Sequence, residues 1–598
     1  MKKILIALFT IISISSIYAQ KDKRLKGIEK ELNKILEATK APSFAVAIVE
    51  GKKIIYAKGF GYRDYENKIK ADANTLYAIG SSSKAFTSSI LGQLRQEDKV
   101  SFEESPLKYV PELKFYNDDL NNNIIIKDLM SHRTGLPRHD YSWYLFPTNN
   151  KDSLLQRVKY QEPFTGLRKN WYYNNFMFLA QGVISERITG KSWEENIKER
   201  FFKPLGMRRS NASIDELKKS SNAAFGYQLQ KDDNISKMEY YHIAGMSPAG
   251  SINSSVNEMS NWLITWINKG KFKNKQILPE TYINEAISSQ MVIAGALPGK
   301  KSPGLHLSNY GYAWFLSSYK GHYRVEHGGN IDGFSANVAF FPSDSIGIVV
   351  LTNQNGSAVP NLVRNAVSDR MLKTQKTDWL KRFTEQQLKA KKAAKEAKSK
   401  SSKIENTKPS HILQDYTGKY SHSGYGEFTV INKNDSLFAN FKLKTWYLKH
   451  VHYDIFEPFD VTKTGIDTSE SGALRFNFTA NDGGDISLVK MKIEPALNHP
   501  IEFKRKPNTI DVSKITLEKY AGDYQLSGTT IKIYIKNQNT LYLFVAGQPE
   551  YELVATEKHK FSFKAIEGYK VEFVESEDTS IKEFKMVQPN GTFTVTRK

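Results

Sequence analysis

The 598-residue sequence predicts an α+β protein in which helices flank an antiparallel sheet, followed by an all-β antiparallel tail. Three observations support this prediction. Strand patterns occur near both ends of residues 22–375 and enclose a helical subdomain, a basic segment follows over residues 376–408, and short alternating strands repeat from residue 409 onward. Because a chain of this length exceeds what one hydrophobic core supports, several domains are expected.

The first 19 residues have the pattern of a signal peptide. Lys2 and Lys3 precede the apolar run Ile4–Tyr18, which is short for a membrane span, and cleavage is predicted near Ala19. An uncleaved N-terminal anchor is the alternative. We therefore predict a periplasmic or secreted protein with no stable membrane span after cleavage.

The composition excludes several chemistries. Because the sequence contains no cysteine, disulfides, a cysteine nucleophile, a thiolate metal site and a lipoprotein anchor are excluded. The formal net charge of +22 makes an anionic cell-envelope polymer a candidate partner, but no nucleic-acid-binding motif accompanies the charge. A solvated basic surface is the simpler interpretation, and no nucleic-acid partner is expected.

Strand and helix patterns in residues 22–375 indicate how the sheet is built. A helical periodicity covers residues 25–39, and a hairpin is predicted from Phe44–Val49 and Lys53–Gly59. Mostly helical segments and loops follow. Later strands are predicted at residues 312–318, 323–326, 336–341 and 345–351. The simplest arrangement is a sheet assembled from both ends of this region, with helices inserted between them.

The segment Tyr77–Thr87 has the features of a nucleophile presented at a helix start. Ser81 and Lys84 lie three positions apart, so on a helix they share one face and the lysine amine reaches the serine hydroxyl. The helix start also offers unpaired N–H groups that favour a developing oxyanion. Taken alone the match is weak, since an N-cap serine followed by a solvated lysine has the same pattern.

A second motif lies in residues 170–175. Tyr-x-Asn occurs there in two registers, Tyr172 with Asn174 or Tyr173 with Asn175, and periodicity does not choose between them. A tyrosine beside a lysine ammonium loses its proton more readily than its usual pKa of about 10 allows, and so serves as a general base. The alternative is a pair of aromatic residues packed under a loop.

A third motif is the run His327–Asn330 at a predicted strand end. Paired glycines let the backbone approach a ligand closely, and an N–H group from such a strand completes an oxyanion hole. The alternative is a Gly-rich β-turn with an incidental histidine.

Taken together and in this order, the three motifs resemble the serine β-lactamase and penicillin-binding-protein superfamily, in particular its class C β-lactamase-related branch. The motifs are Ser81-x-x-Lys84, Tyr173-x-Asn175 and His327-x-Gly329. Further similar stretches are residues 126–137, 204–207, 248–252 and 310–314, so the resemblance covers roughly residues 22–375. The resemblance also selects the register with Tyr173, because Gly182, Glu186 and Gly190 follow that tyrosine at the spacing found in the family.

The resemblance implies a β-lactamase/transpeptidase-like domain with assigned roles. Ser81 is then the acylated nucleophile, and Lys84 and Tyr173 share proton transfer. Which of the two is the base stays open, because a coupled pair titrates as a unit. The N–H groups of Ser81 and Asn330 form the oxyanion hole. The implied substrate-binding residues are Asn175, His327, Gly329 and Asn330. No metal or other cofactor is implied, since acyl transfer at a Ser-Lys-Tyr site needs none.

One departure from the family pattern bears on the substrate. Class C β-lactamases have Lys-Thr-Gly where this chain has His327-Gly328-Gly329. A histidine with an ordinary pKa near 6.5 is mostly neutral at pH 7 and does not replace the fixed lysine charge. Strong β-lactam hydrolysis is therefore not expected, and the histidine is more similar to the esterase and D-amino-acid peptidase relatives.

We expect an exported serine hydrolase that cleaves small esters, D-amino-acid peptides or peptidoglycan-type peptides through a Ser81 acyl-enzyme. The alternatives are a penicillin-binding sensor that acylates with little turnover, a true β-lactamase, or a degenerate hydrolase whose tail binds carbohydrate or peptidoglycan. Substrate choice depends on loops at residues 137–162 and 292–307, whose shapes the sequence does not predict.

The remaining segments are a linker and a repeated tail. Residues 376–408 are predicted to form a basic helical or flexible linker, because they offer no apolar stripe beyond Leu388. Leu413–Tyr420 then repeats as Leu517–Tyr524, which predicts two related β domains at residues 409–506 and 512–598. The first resembles the lipocalin-like domain of unknown function that trails many such hydrolases. His450 and His452 are too few ligands to predict a metal site.

Overall fold

The computed structural model describes residues 22–230, 233–294, 304, 306–398, 403–462, 465–468, 474–507, 509–537, 539–566 and 568–598. The predicted signal peptide at residues 1–19 lies outside the described residues, as does most of the predicted specificity loop at residues 292–307. Within the described part, no helix combines the length and apolar character needed to cross a bilayer.

A nine-stranded antiparallel sheet forms the centre of the first domain. Its strands, in spatial order, are Met291–Val292, Asn309–Tyr310, Phe315–Tyr319, His322–Ile331, Phe334–Phe341, Ile346–Thr352, Ser43–Glu50, Lys53–Asp64 and Ile69–Lys70. Ser43–Glu50 pairs directly with Ile346–Thr352, and Val46 lies opposite Val350. The predicted sheet assembled from both ends of the region is therefore confirmed.

Both faces of this sheet are covered by helices. Along Ser43–Glu50, alternate side chains point to opposite faces, as the pleat requires. Phe44 packs in one cluster with the helices Ile28–Thr39 and Val359–Met371. Ala45 belongs to the larger core on the other face, which includes Phe86. The candidate site lies on this second side.

Between the two halves of the sheet the chain is mostly helical. The helices of the first domain are Ile28–Thr39, Lys84–Gln96, Asp118–Asn123, Ile126–Met130, Asp140–Tyr144, Lys151–Leu155, Phe176–Thr189, Trp193–Ile197, Lys203–Leu205, Ile214–Lys219, Ser247–Gly250, Val256–Ile267, Glu280–Ala286 and Val359–Met371. Three two-stranded sheets pair Tyr77–Ala78 with Asn253–Ser254, Gly226–Leu229 with Ile235–Met238, and Lys271–Phe272 with Lys275–Gln276.

The linker contains one helix, Trp379–Lys398. Its first turn is fixed to the first domain, because the Trp379 indole N–H donates to Asp369 Oδ2 at 2.9 Å and the ring stacks on Tyr319. Farther along, Leu388 is exposed. The helix therefore leaves the first domain as a basic, solvated segment.

The tail consists of two closed antiparallel barrels. The first barrel contains Gly418–His422, Gly426–Asn432, Leu437–Asn440, Thr445–His452, Ile455–Thr462, Phe476–Ala480, Ile486–Met491 and Ile501–Lys506, with Gly465–Asp467 added beside Ile455–Thr462. The second barrel follows the helix Lys514–Tyr520 and contains Gly522–Leu526, Thr529–Lys536, Thr540–Val545, Tyr551–Glu557, Lys560–Phe563, Lys570–Glu575, Ile581–Gln588 and Gly591–Arg597. The predicted all-β antiparallel tail, and with it the α+β fold class, is confirmed.

The repeated sequence has the same role in both barrels. In the first, the Tyr420 hydroxyl donates to the Tyr416 carbonyl at 2.8 Å; in the second, the Tyr524 hydroxyl donates to the Tyr520 carbonyl at 2.9 Å. All four tyrosines are buried. The pair closes the turn that leads into the first strand of each barrel, which explains why this stretch repeats.

The first barrel packs directly against the first domain. Leu145 and Phe146 are buried in the hydrophobic core of the barrel rather than in that of their own domain. The Phe146 ring lies 5.5 Å from Phe441 and 5.9 Å from Phe503, between ring centroids. Residues 137–147, which precede and include this contact, also reach the candidate site.

Candidate active site

Ser81 lies in a short turn between a strand and a helix. Tyr77–Ala78 leads into the 3₁₀ turn Gly80–Ser83, and the helix Lys84–Gln96 begins directly after it. In such a turn, residues three apart lie above one another. Ser81 is therefore held beside Lys84, as predicted from the sequence, and it is not the N-cap of the α-helix, a position that Ser83 occupies.

Lys84 is positioned to act on the Ser81 hydroxyl. Its Nζ lies 3.0 Å from Ser81 Oγ and donates to the Ala249 carbonyl at 2.7 Å, and the side chain is fully buried. Burial, assisted by the charge of Arg138, lowers the pKa of Lys84 well below its usual value. A neutral amine donates to Ala249 and keeps its lone pair for the serine proton.

Tyr173 lies beside Lys84 in the same site. Its ring packs against His132 with ring centroids 4.3 Å apart, and Lys84 Nζ lies 4.9 Å from the ring centroid. From the sequence, a neighbouring ammonium was expected to lower the pKa of this phenol. Instead burial outweighs the opposing hydrogen bond from Ser81 and charge of Arg138, and raises the pKa of Tyr173. Tyr173 therefore stays protonated at neutral pH.

The structure separates the two Tyr-x-Asn registers. Asn174 is fully buried and donates to the Pro137 carbonyl at 2.7 Å, so its amide holds a loop. Asn175 lines the cleft beside Ser81, and its Nδ2 donates to Asp140 Oδ1 at 2.7 Å. Of the two asparagines, Asn175, which belongs to the register that the sequence resemblance selected, is the one that lines the cleft.

The strand His322–Ile331 packs against the turn Gly80–Ser83, which contains Ser81. A Cβ on Gly329 would lie 1.9 Å from the Ile79 carbonyl oxygen and 3.1 Å from the Ser81 amide nitrogen. A Cβ on Gly80, whose φ is +51°, would lie 2.8 Å from the Asn330 amide nitrogen. These glycines allow the two amides of the expected oxyanion hole to approach each other.

The His327 side chain takes a different position from the one expected of a substrate-binding residue. Its Nε2 lies 3.0 Å from the Tyr310 hydroxyl and its Nδ1 lies 2.6 Å from the Gly328 carbonyl. Burial lowers the pKa of His327 to about 3. The imidazole is a buried neutral group that supports the strand, and it is not among the residues that line the cleft.

The cleft next to Ser81 has a volume of about 470 Å³ and contains side chains that the sequence analysis did not identify. These are Arg138, Asp140, Trp143, Tyr144, Tyr241, Asp332 and Glu494. A sequence signal existed for Arg138, Asp140, Trp143 and Tyr144, which lie in the expected specificity loop at residues 137–162. Glu494 belongs to the first barrel, and nothing in its local sequence indicates an active-site position.

Two of these groups contact Tyr173 and Asn175. The Arg138 guanidinium lies 4.7 Å from the centre of the Tyr173 ring, and Arg138 Nε donates to Asp140 Oδ2 at 2.5 Å. Asp140 in turn accepts from Asn175 and from the Trp143 indole. The guanidinium thus places a fixed positive charge beside the Tyr173 phenol.

Metal ligands are not grouped in the part of the chain that the structure describes. Within those residues, His, Asp and Glu side chains form no cluster of three or more suited to a metal ion. His450, considered from sequence, lies 2.8 Å from the Tyr453 carbonyl through its Nε2.

The fold and the site together define a class of protein, the hydrolases of the β-lactamase fold, and here a lysine and a tyrosine lie beside Ser81. Residues 28–370 match the family described as Beta-lactamase. This chain belongs to the Beta-lactamase family. Residues 402–505, which contain the first barrel, match a domain of unknown function, DUF3471.

Two similar proteins align with different fractions of this chain. Unguisins hydrolase ungD' of Aspergillus campestris (strain IBT 28561) is 25% identical over 497 residues, which cover 78% of this chain and 89% of that protein. Protein flp of Staphylococcus aureus (strain MW2) is 27% identical over 326 residues, 54% of this chain and 62% of that protein, so the match spans less than two thirds of flp.

A solved structure supports the fold. The octameric penicillin-binding protein homologue from Pyrococcus abyssi aligns with a TM-score of 0.54 at 19% identity, covering 80% of this chain and 100% of that chain. At this identity the similarity is one of fold.

Proposed function

We propose that this protein is an exported serine hydrolase that cleaves an ester or amide bond through a Ser81 acyl-enzyme. Small esters and D-amino-acid or peptidoglycan-type peptides are the proposed substrates. The observation that carries the proposal is the buried Lys84 amine, 3.0 Å from Ser81 Oγ. An amine whose pKa is lowered by burial, at that distance, is suited to act as the general base for the nucleophile.

The proposed acylation follows from the positions of these groups. Ser81 Oγ attacks the carbonyl carbon while its proton passes to Lys84 Nζ. Negative charge develops on the carbonyl oxygen, where the N–H groups of Ser81 and Asn330 stabilise it. The bond to the leaving group breaks, and that group takes a proton from the Tyr173 hydroxyl, which Lys84 then restores.

Deacylation uses the same groups in the second half of the cycle. Water attacks the ester carbonyl of the acyl-enzyme and gives a proton to Lys84 Nζ, and the bond to Ser81 Oγ breaks. Ser81 Oγ recovers a proton from Lys84. Protons and electrons balance over the cycle, and the net reaction is hydrolysis.

The neutral His327 supports esters and peptides over β-lactams. The resemblance implies a lysine charge at this position in class C β-lactamases, and here the imidazole is buried and neutral. Arg138 provides a cation elsewhere in the cleft, but it is paired with Asp140 at 2.5 Å. A substrate carboxylate would have to compete with that pair.

The test is a time course with a chromogenic short-chain ester and, in parallel, a chromogenic cephalosporin, with intact mass recorded. Ester turnover that disappears in Ser81→Ala, with little cephalosporin loss, is expected. A stable mass adduct on Ser81 without turnover would replace the proposal with a penicillin-binding sensor, and rapid cephalosporin loss would replace it with a β-lactamase. No reaction with either probe would contradict a hydrolase at Ser81.

Export is part of the proposal and has its own measurement. The charged and apolar pattern of residues 1–19 supports a cleaved signal peptide. Expression of the full chain in a Gram-negative host should release a periplasmic protein whose N-terminus begins near Gln20. A cytoplasmic full-length product would contradict it.

A further inference from the structure

The first barrel contributes residues to the cleft that contains Ser81. Its last two strands, Ile486–Met491 and Ile501–Lys506, are joined by residues 492–500, called here the barrel loop. Ile493, Glu494 and Pro495 of this loop line the same cleft as Ser81. Two domains therefore share this cleft, and Ser81 and Glu494 are more than 400 residues apart in the sequence.

The barrel loop is fixed to the first domain by directed contacts. Glu494 is 5% exposed, and its Oε2 accepts from the His139 N–H at 2.6 Å. The His139 ring in turn lies 2.8 Å from the Tyr425 hydroxyl of the barrel, and Ser142 Oγ donates to the Gly424 carbonyl at 2.6 Å. Together with Phe146 in the barrel core, these bonds hold the Glu494 carboxylate at the cleft wall.

Negative charge exceeds positive charge along the cleft. Its lining contains the carboxylates of Asp140, Asp332 and Glu494 against the guanidinium of Arg138. Arg138 pairs with Asp140 at 2.5 Å. Among the described residues, neither Asp332 nor Glu494 has a Lys, Arg or His nitrogen at ion-pair distance, and their contacts are with the Tyr144 hydroxyl and backbone amides. Two carboxylates thus face the cleft without a cation in contact.

The surroundings of these two carboxylates suit a cationic ligand with an apolar body. Burial raises the pKa of Asp332 and of Glu494, and it outweighs the opposing charges of Lys444 and Arg138, respectively. Tyr144 stacks on Tyr241 with ring centroids 4.9 Å apart, and both rings line the cleft. Aromatic faces attract ammonium groups and cover the methylenes that carry them.

We propose that Asp332 and Glu494 form a subsite for a positively charged group of the substrate, a primary or secondary ammonium, so that the barrel is part of the substrate-binding site. The inference rests on the proposed function only in placing this group on the molecule that acylates Ser81. It assigns to the first barrel the selection of amine-bearing esters or peptides over neutral ones.

Binding can be tested without turnover. Phenethylammonium and the neutral phenethyl alcohol are titrated calorimetrically into the full chain carrying Ser81→Ala, with and without Glu494→Gln. The glutamine keeps an oxygen for the His139 N–H and removes the charge, and its amide nitrogen replaces the oxygen that accepts from the Ala496 N–H at 3.3 Å. Phenethylammonium should bind about tenfold more weakly to the Gln variant, with the alcohol changing less than about twofold.

Two further variants make the result specific. Asp332→Asn should produce a similar loss, because it removes the other charge. Glu502→Gln is the matched control, since Glu502 is exposed on the adjacent strand and pairs with Lys490 at 3.2 Å. Equal binding of ammonium and alcohol to the parent protein, or an ammonium preference unchanged in both charge-removing variants, would overturn the subsite.

Kinetics separate this inference from the proposed function. β-Alanyl p-nitroanilide is compared with propionyl p-nitroanilide, which lacks only the amine. The amine-bearing probe should have the higher kcat/KM. Glu494→Gln should lower the ratio of its kcat/KM to that of the propionyl probe about tenfold. Turnover of both probes with no amine preference overturns the subsite alone. Turnover of neither anilide, together with no turnover of the short-chain ester, contradicts the proposed hydrolase, while the titration still decides the subsite.

Discussion

Replacement of Lys84 by Met separates the catalytic role of this residue from a structural one. Methionine has a similar length and is apolar, so it fills the space of a side chain that is fully buried. It cannot accept the Ser81 proton across the 3.0 Å contact. General-base catalysis is worth about 10²–10⁴ in rate, so kcat/KM for a short-chain ester should fall about 10³-fold, or about 4 kcal/mol.

The same change should not destabilise the fold by more than about 1 kcal/mol. Replacing a buried ionisable group by an apolar one is neutral to stabilising by about 1–4 kcal/mol, and loss of the donor to the Ala249 carbonyl costs about 1 kcal/mol. The net effect lies between about 1 kcal/mol of lost and about 3 kcal/mol of added stability. A residue retained for packing would lose more than that, so a large loss of activity without a larger loss of stability is expected only if Lys84 is catalytic.

The pH dependence of stability provides a second test of the direction in which Lys84→Met changes stability. The pKa of Lys84 is lowered in the folded state, whereas the unfolded chain keeps the usual value of 10.5. Between those two values the unfolded state binds more protons, so the native protein gains stability as pH rises. The advantage of Lys84→Met should therefore be largest below the folded pKa and disappear above about pH 10.5.

The measurements are urea unfolding across pH and ester kinetics on the same preparations, with Ser81→Ala as the inactive reference. A loss of activity below tenfold would remove Lys84 as the principal base. A Lys84→Met protein less stable than the parent by more than about 1 kcal/mol would refute the claim that burial disfavours the lysine charge.

Three further predictions follow from the same structure. Gly329→Ala should lower kcat/KM for the ester at least about 100-fold, since its Cβ would meet the Ile79 carbonyl oxygen at 1.9 Å, whereas Gly328→Ala, with its nearest contact at 3.6 Å, should stay within about threefold; equal losses in both would contradict the oxyanion-hole geometry. His327 has its pKa lowered to about 3, so His327→Gln should leave the shape of the pH profile of kcat/KM between about pH 5 and 8 unchanged; loss of a limb near pH 6.5 would refute this. Phe146→Ala should destabilise the protein by about 3 kcal/mol in urea unfolding and weaken phenethylammonium binding, because the ring is buried in the barrel core; unchanged binding would show that the barrel loop is held without it.

The contact between the first barrel and the first domain also forms part of the cleft wall. A cleft that needs Glu494 is complete only when the first barrel is docked on residues 137–147. Apolar packing at Phe146 and polar contacts at His139 and Ser142 form the two parts of that interface. The second barrel repeats the Tyr-Tyr turn of the first, and its residues are absent from the described lining of the cleft.

Short-range features were predictable from the chain itself. Alternation of apolar residues indicated the strands on both sides of the sheet, and the three-residue spacing of Ser81 and Lys84 placed their side chains together once the segment turned. The duplicated stretch ending at Tyr420 and Tyr524 indicated two related β domains. Each of these depends on residues that are neighbours in sequence, where backbone geometry alone decides the contact.

Only the tertiary structure decided the pKa shifts in the site and which distant residues line the cleft. Burial of Tyr173 reversed the expected direction of its pKa, and burial of His327 under Tyr310 removed its ring from the cleft. Asp332 and Glu494 reach the cleft only because the sheet and the first barrel bring distant segments together. Desolvation and charge are sums over everything that surrounds a group, and those surroundings exist only after the chain has folded.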